Sequence, residues 1–249
     1  MKRVGKGSEP QSLFLFRSSN PSSQWEQCKR NTTRHHEIQR RICQDQSGLC
    51  AYCEIDLRPR RRGSLADFRI EHFHPKSDMS TDVNWHLEWS NLLGCCHGGS
   101  QAGVPDRYTT DHSCDVPKGD KNLDGIILNP LRLPSDCLFS FSRSNGSITV
   151  KEAACQKAGI EGVALNTIQE LQLDGVRLRR LRKATLDGIN QKATQLLTKG
   201  LPIDEVHTRL AKALLTKDAS GCWPAFFSAI RSYLGSAAEK HLTAMEYNE

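Results

Sequence analysis

The tightest constraint on this chain is a cysteine pair, Cys50-Ala51-Tyr52-Cys53, followed some 40 residues later by further cysteines and histidines: Cys95, Cys96, His97, His112 and Cys114. A C-x-x-C turn lets two thiolates converge on one tetrahedral zinc, and two more ligands must then come from elsewhere. The spacing points to Cys50, Cys53, Cys96 and Cys114, with Cys95 as the alternative to Cys96. Four thiolates saturate the ion, so such a site is structural and has no open position for chemistry. A redox C-x-x-C would need a βαβ setting, which the flanking sequence lacks. The stretch from His97 to Ser113 is Gly-rich and polar and is expected to loop out between the two last ligands.

The chain has 10 cysteines in 249 residues. A secreted disulfide framework would suit a small exported domain. Here the N-terminus, Met1-Lys2-Arg3-Val4-Gly5-Lys6, carries no apolar stretch after its charges, and no run of about 18 apolar residues occurs. A cytoplasmic location without membrane attachment is therefore expected. Cys28, Cys43, Cys137, Cys155 and Cys222 stand alone and read as small buried apolar residues. The formal net charge of +6 is mild. It is clustered at Arg58-Pro59-Arg60-Arg61-Arg62 and at Arg177, Arg179, Arg180, Arg182 and Lys183, a pattern that suits a polyphosphate partner or a solvated face.

Three regions are expected. Residues 1–48 comprise a basic stretch over 1–21, read as a flexible arm or an irregular lead-in, and an uninterrupted helix from Ser22 to about Gln46. Residues 49–150 hold the metal-rich centre and end in two short strands around Cys137–Phe141 and Ser147–Val150, joined by an Asn145-Gly146 turn. Residues 151–249 read as helical, with Leu165, Ile168, Leu171, Leu178, Leu181, Leu186 and Ile189 close to a period of 3.6.

Between the cysteine groups lies Arg69-Ile70-Glu71-His72-Phe73-His74-Pro75-Lys76-Ser77. Phosphodiester hydrolysis requires a base to deprotonate water, and neutral imidazole is poised for that near pH 7. It also requires a hard cation to neutralise the phosphate, and Mg²⁺ or Mn²⁺ takes oxygen ligands. Glu71 and Asp115 can supply them, with His72 as the base and His74 as the second candidate. Neighbours on an extended strand point to opposite faces, so a loop or bulge is expected to bring Glu71 and His72 together.

The order C-x-x-C, E-H-F-x-P-K-S, W-x-N-L-L and Cys-Asp-x-x-Lys-Gly resembles the HNH endonucleases with a ββα-metal core. Within them it is most similar to the branch containing PtuB, the HNH subunit of Septu-type anti-phage systems that is also found with some retrons. The motifs span roughly residues 49–130. The resemblance implies an α+β fold in which a zinc-braced ββα-metal core follows a helical lead-in and precedes a mostly helical C-terminal part. It implies His72 as general base, Glu71 and Asp115 as ligands of a catalytic Mg²⁺ or Mn²⁺, and Asn91 as the residue that holds the loop carrying the base. Lys118 would touch the phosphate. Asp115 stands where the family usually has His or Asn. The partners implied are a nucleic acid substrate, an ABC or SMC-like ATPase (PtuA) and, in a retron, a reverse transcriptase with its RNA–DNA hybrid. The helical C-terminal part is the expected docking surface. The motifs report little on base or sugar, so DNA is the default and RNA, transfer RNA included, stays open. A non-catalytic zinc module that binds nucleic acid is the competing reading; it leaves Glu71, His72, Asn91 and Asp115 unexplained.

Overall fold

The computed structural model describes residues 1–58, 67–101 and 111–247. Arg60, Arg61 and Arg62 of the first basic block, and most of the loop between Cys96 and Cys114, lie outside the described residues.

The N-terminal 21 residues are not a flexible arm. Met1, Val4 and Leu13 are buried, and helix α1 forms over Gln11–Ser19. Trp89 Nε1 donates to the Gly7 carbonyl at 2.8 Å, and Lys6 lies 3.6 Å over the Trp89 ring, so partners far along the chain order this segment. The expected single helix over 22–46 is split into α2 (Trp25–Lys29) and α3 (Thr32–Asp45). Asn31 causes the break: its side chain accepts from Arg34 N at 2.9 Å, a cap that starts a new helix in mid-stretch.

Helix α3 sets the position of the hairpin that follows. Ile38 and Ile42, one turn apart, are fully buried. Just past the helix, Gln46 accepts from Gly94 N (2.6 Å) and donates to Gly94 O (2.8 Å) and Leu49 O (2.7 Å). Gly94 permits this approach, because a Cβ there would stand 2.8 Å from Ile42 and 3.0 Å from Phe68. Gly94 belongs to β2 (Leu92–Cys95), which pairs antiparallel with β1 (Arg69–His72) in the register Arg69↔Cys95 to His72↔Leu92. Helix α4 (Asp115–Lys118) completes a ββα unit.

A second hairpin, β3 (Phe139–Phe141) with β4 (Ile148–Val150), turns at Asn145-Gly146 as the sequence predicts. Gly146 has φ +72°, and a Cβ on it would collide with the Arg179 carbonyl at 2.1 Å. Helices α5 (Glu152–Ala158), α6 (Glu161–Glu170), α7 (Val176–Leu197), α8 (Ile203–Leu214), α9 (Phe227–Leu234) and α10 (Ser236–Ala244) follow. Cys155, Ala164, Ile168, Leu171 and Leu178 pack into the same core as the ββα unit. A second core takes in Leu49 from beside the cysteine knuckle, α7 from Leu186 onward, and α8 to α10. The packing boundary thus falls inside α7 and not at residue 150, because α7 is long enough to serve both cores. The result is an α+β fold of mixed helices and two small sheets around a four-cysteine cluster, as the motif order implied. No helix among the described residues is long and apolar enough to cross a membrane.

The basic run of α7 is occupied within the fold. Arg179 pairs with Asp174, and Lys183 pairs with Asp187 at 2.7 Å. Arg182 is buried and donates to the Leu173 and Leu178 carbonyls. Arg177 donates to Ser113 Oγ at 2.6 Å. Arg58 pairs with Asp56 and Asp218.

Candidate active site

Cys50, Cys53, Cys96 and Cys114 bring their sulfurs within 4.8 Å of one another, a group that could hold a metal ion. The separations are 3.9 Å for Cys50–Cys114, 3.5 Å for Cys53–Cys96 and 3.7 Å for Cys96–Cys114. Tetrahedral thiolates about 2.3 Å from a zinc ion stand roughly 3.8 Å apart, so the donor set fits. Cys96 N also donates to Cys50 Sγ at 3.4 Å. Cys95, the alternative ligand, is not in the group, although its thiol lies beside that of Cys50. The long loop before Cys114 is closed at its base, where Ser113 N donates to Gly98 O at 3.0 Å, so its length does not displace the ligand. Cys43 and Cys137 are half-buried and Cys28, Cys155 and Cys222 buried, all as free thiols.

Cys114 and Asp115 are adjacent yet serve different places. Cys114 sits at φ +64°, and this turn sends its sulfur into the cluster while Asp115 starts α4. Asp115 is 4% exposed and meets Arg69 Nε at 2.8 Å through Oδ2; its Oδ1 is buried without a hydrogen-bond partner. Glu71 shares the strand face of Arg69, two residues away, and faces α4. Its Oε1 is buried without a hydrogen bond of good geometry, and the Lys118 ammonium 2.8 Å away supplies its countercharge. Burial pushes Glu71 up to about 7, against the pull of Lys118, with Asp115 adding to the rise. Burial likewise lifts Asp115 to about 6, opposed by Arg69. Two buried acids of raised pKa, each facing a basic side chain and each with an oxygen that lacks a hydrogen-bond partner, are oxygen donors of the kind a hard divalent cation takes.

Lys118 is itself only 1% exposed and also donates to the His72 carbonyl at 3.1 Å. The expected phosphate contact is therefore not made in this arrangement, since the ammonium is enclosed between Glu71 and the strand end.

No bulge brings Glu71 and His72 to one face. The register runs Glu71↔Leu93 and His72↔Leu92 without interruption, so the side chains leave opposite faces. His72 lies edge-on to Trp25, ring centroids 5.5 Å apart, and its Nε2 lies 3.2 Å from the His86 carbonyl. A carbonyl only accepts, so Nε2 carries the proton and Nδ1 keeps its lone pair. Burial lowers the His72 pKa to about 4, so the ring is neutral at physiological pH. His74, the rival, has both ring nitrogens engaged. Its Nδ1 lies 2.7 Å from Asp124 and its Nε2 2.8 Å from Asp78, and its ring stacks on Trp85 at 4.1 Å. Asn91 ties this turn together: its Oδ1 accepts from His74 N (2.7 Å), and its Nδ2 donates to His74 O (3.0 Å) and Trp85 O (2.9 Å).

Sequence reasoning passed over Arg69, Trp25 and His86. The period-2 rule places Arg69 beside Glu71 and could have found it. Nothing local marks Trp25 or His86, whose roles come from distant packing.

A four-cysteine group that could hold a metal, a ββα unit and a buried histidine at the strand end accord with a nuclease, and the chain belongs to the HNH endonuclease family. It is 37% identical over 175 residues to the Escherichia coli protein named "Retron Ec83 putative HNH endonuclease", covering 65% of this chain and 67% of that relative. No family model matches the chain.

Proposed function

We propose that this nuclease hydrolyses phosphodiester bonds of nucleic acid, DNA in preference, by metal-assisted attack of water, and acts as the toxic effector of an anti-phage defence system. One observation carries the chemistry: the same strand end bears Glu71, turned to Asp115 with its orphaned Oδ1, and on its opposite face His72 with an unprotonated Nδ1, so the substrate strand would have to pass around that end to meet both. Zinc at Cys50, Cys53, Cys96 and Cys114 holds the ββα unit together. Glu71 and Asp115 would hold Mg²⁺ or Mn²⁺, which would supply charge neutralisation at the scissile phosphate and the departing oxygen. His72 Nδ1 takes the proton of the attacking water, while its Nε2–H stays on the His86 carbonyl and fixes the ring. Asn91 keeps the turn after His72 in shape. Lys118 holds Glu71 and the strand end in place and compensates their charge when the carboxylates are ionised.

The biological setting rests on the retron named in the relative. That name supports a reverse transcriptase with its RNA–DNA hybrid as partner and keeps RNA, transfer RNA included, as the alternative substrate. The ABC or SMC-like ATPase PtuA is the partner proposed from the motif resemblance. Leu181, Leu197 and Ile203 on α7 and α8 are exposed and supply apolar surface for such docking. In the assembled complex the nuclease would be restrained until infection. A non-catalytic zinc module gains no specific support, since it has no use for the Glu71–Asp115 pair.

The test is incubation of the complex with DNA and with total RNA in Mg²⁺ or Mn²⁺, followed by mapping of cut ends. Cleavage by the wild type and none by a folded His72→Ala variant is expected. Equal cleavage by both would remove His72 from the mechanism.

A further inference from the structure

One cleft next to His72 has no part in the chemistry above. It encloses about 250 Å³ between residues 21–24 and the loop 76–86. That is just below the roughly 300 Å³ at which pockets for drug-sized ligands begin, and it suits a single planar ring system. The loop is fixed, since Asn84 Nδ2 donates to Pro21 O (2.7 Å) and Ser23 O (2.9 Å) and Trp85 Nε1 to Thr81 Oγ1 (2.8 Å). Two apolar side chains are nonetheless left in water on it: Met79 is 86% exposed and Val83 41%. His86 lines the same cleft, and its Nδ1 is buried with no hydrogen-bond partner.

We infer that this cleft receives one nucleobase of the strand being cut, next to the scissile phosphate. The inference rests on the nuclease reading above and adds a subsite to it. The cleft adjoins the proposed reaction centre through His86, whose carbonyl holds His72 Nε2 at 3.2 Å. Charge selects the base over the phosphate as occupant. Asp78 and Asp82 line the cleft and repel an anion, whereas Lys76, on the same wall, makes no ion pair among the described residues and is available to the backbone. Trp85 has one ring face packed on His74 and also lines the cleft, so with Met79 and Val83 it offers the apolar, polarisable surface on which any base packs. Grip on a base would thus act through the same loop that orients the general base.

The experiment uses the full zinc-loaded chain and fluorescence anisotropy without added Mg²⁺ or Mn²⁺. Single-stranded DNA and RNA of matched sequence are compared with strands of equal length and charge that carry abasic residues. Wild type is expected to bind the base-bearing strand about 10-fold more tightly than the abasic one. The Met79→Ser/Val83→Ser double variant, altered only at exposed positions, is expected to lose most of that preference and to keep its affinity for the abasic strand. Preference for both DNA and RNA means that the base alone is read; preference for one means that the sugar is read as well, and either supports the cleft. No preference in wild type, an undiminished preference in the variant, or no binding of any strand overturns it. Cleavage is scored separately with Mg²⁺ or Mn²⁺. A strand cut in a His72-dependent way but bound without base preference overturns the cleft and leaves the nuclease. Base-dependent binding with no cleavage does the reverse.

Discussion

Single residues here are decided by what encloses them. Neutral His72, held by a carbonyl on one nitrogen, is the proposed base, and replacing it with alanine is expected to lower cleavage by about 10²- to 10⁴-fold and also to lower the melting temperature, since the buried ring leaves a cavity beside Trp25. Asn91, 3% exposed, makes three hydrogen bonds across the turn. Asn91→Ala leaves those backbone groups unpaired and is expected to cost about 2–4 kcal/mol in denaturant unfolding, with loss of activity. Lys6 provides a pH test. Burial lowers its pKa from 10.5 to about 7 in the folded chain, despite the pull of Asp45. Between pH 7 and pH 10 the unfolded chain therefore binds more protons than the folded one, and this residue's contribution to stability rises with pH. Wild type should gain on the order of 3 kcal/mol relative to Lys6→Met between pH 7 and pH 9.5, read as the difference between their unfolding curves at the two pH values. A parallel response of the two proteins would show that Lys6 stays charged.

At the scale of elements, the ββα unit is positioned by a helix outside it. Helix α3 reaches β2 through Ile42 and Gln46, and Gly94 is the point of closest approach. Gly94→Ala should force β2 away from α3 and cost about 1–3 kcal/mol, measured by thermal unfolding, with a larger loss of cleavage than of stability because β1 and His72 move with β2. The cysteine knuckle was legible from spacing; the two strands of the ββα unit came only from the family resemblance, since residues 49–130 read locally as loop. The division of 22–46 into two helices is marked in the sequence only by Asn31, a good capping residue. The order of residues 1–21 could not be read locally, because Gly, Ser and Pro dominate it and its partners, Trp89 and Leu92, lie more than 80 residues away.

At the scale of the molecule, the cysteine cluster couples the two cores. Glu54, next to Cys53, is 3% exposed; its carboxylate accepts from Ser228 N and Oγ of α9 at 2.8 and 2.5 Å and pairs with the Met1 amine at 3.1 Å. Metal loss at the knuckle should therefore loosen the C-terminal helices as well. One zinc per chain is expected by atomic absorption, and chelation or Cys114→Ser should abolish cooperative unfolding by circular dichroism rather than trim one loop. Cys95→Ser should leave the zinc content unchanged.

The amino-acid sequence by itself determined the chemistry available: thiolates at knuckle spacing, a Glu-His pair, and an acid following the last cysteine. These are covalent facts of order and spacing, and they suffice to place the chain among HNH endonucleases. Only the tertiary structure decided which atoms can act. His72 and His74 are equivalent by spacing, yet one keeps a lone pair and the other has both nitrogens on carboxylates. Lys118 suited a phosphate contact by position, yet it is enclosed against Glu71. The protonation, reach and partners of a side chain depend on solvent exclusion and on groups brought in from remote parts of the chain, and local order does not encode these. The Glu71-Asp115 pair shows both halves of this: sequence supplied two acids 44 positions apart, and folding set them together with one oxygen of Asp115 unpaired.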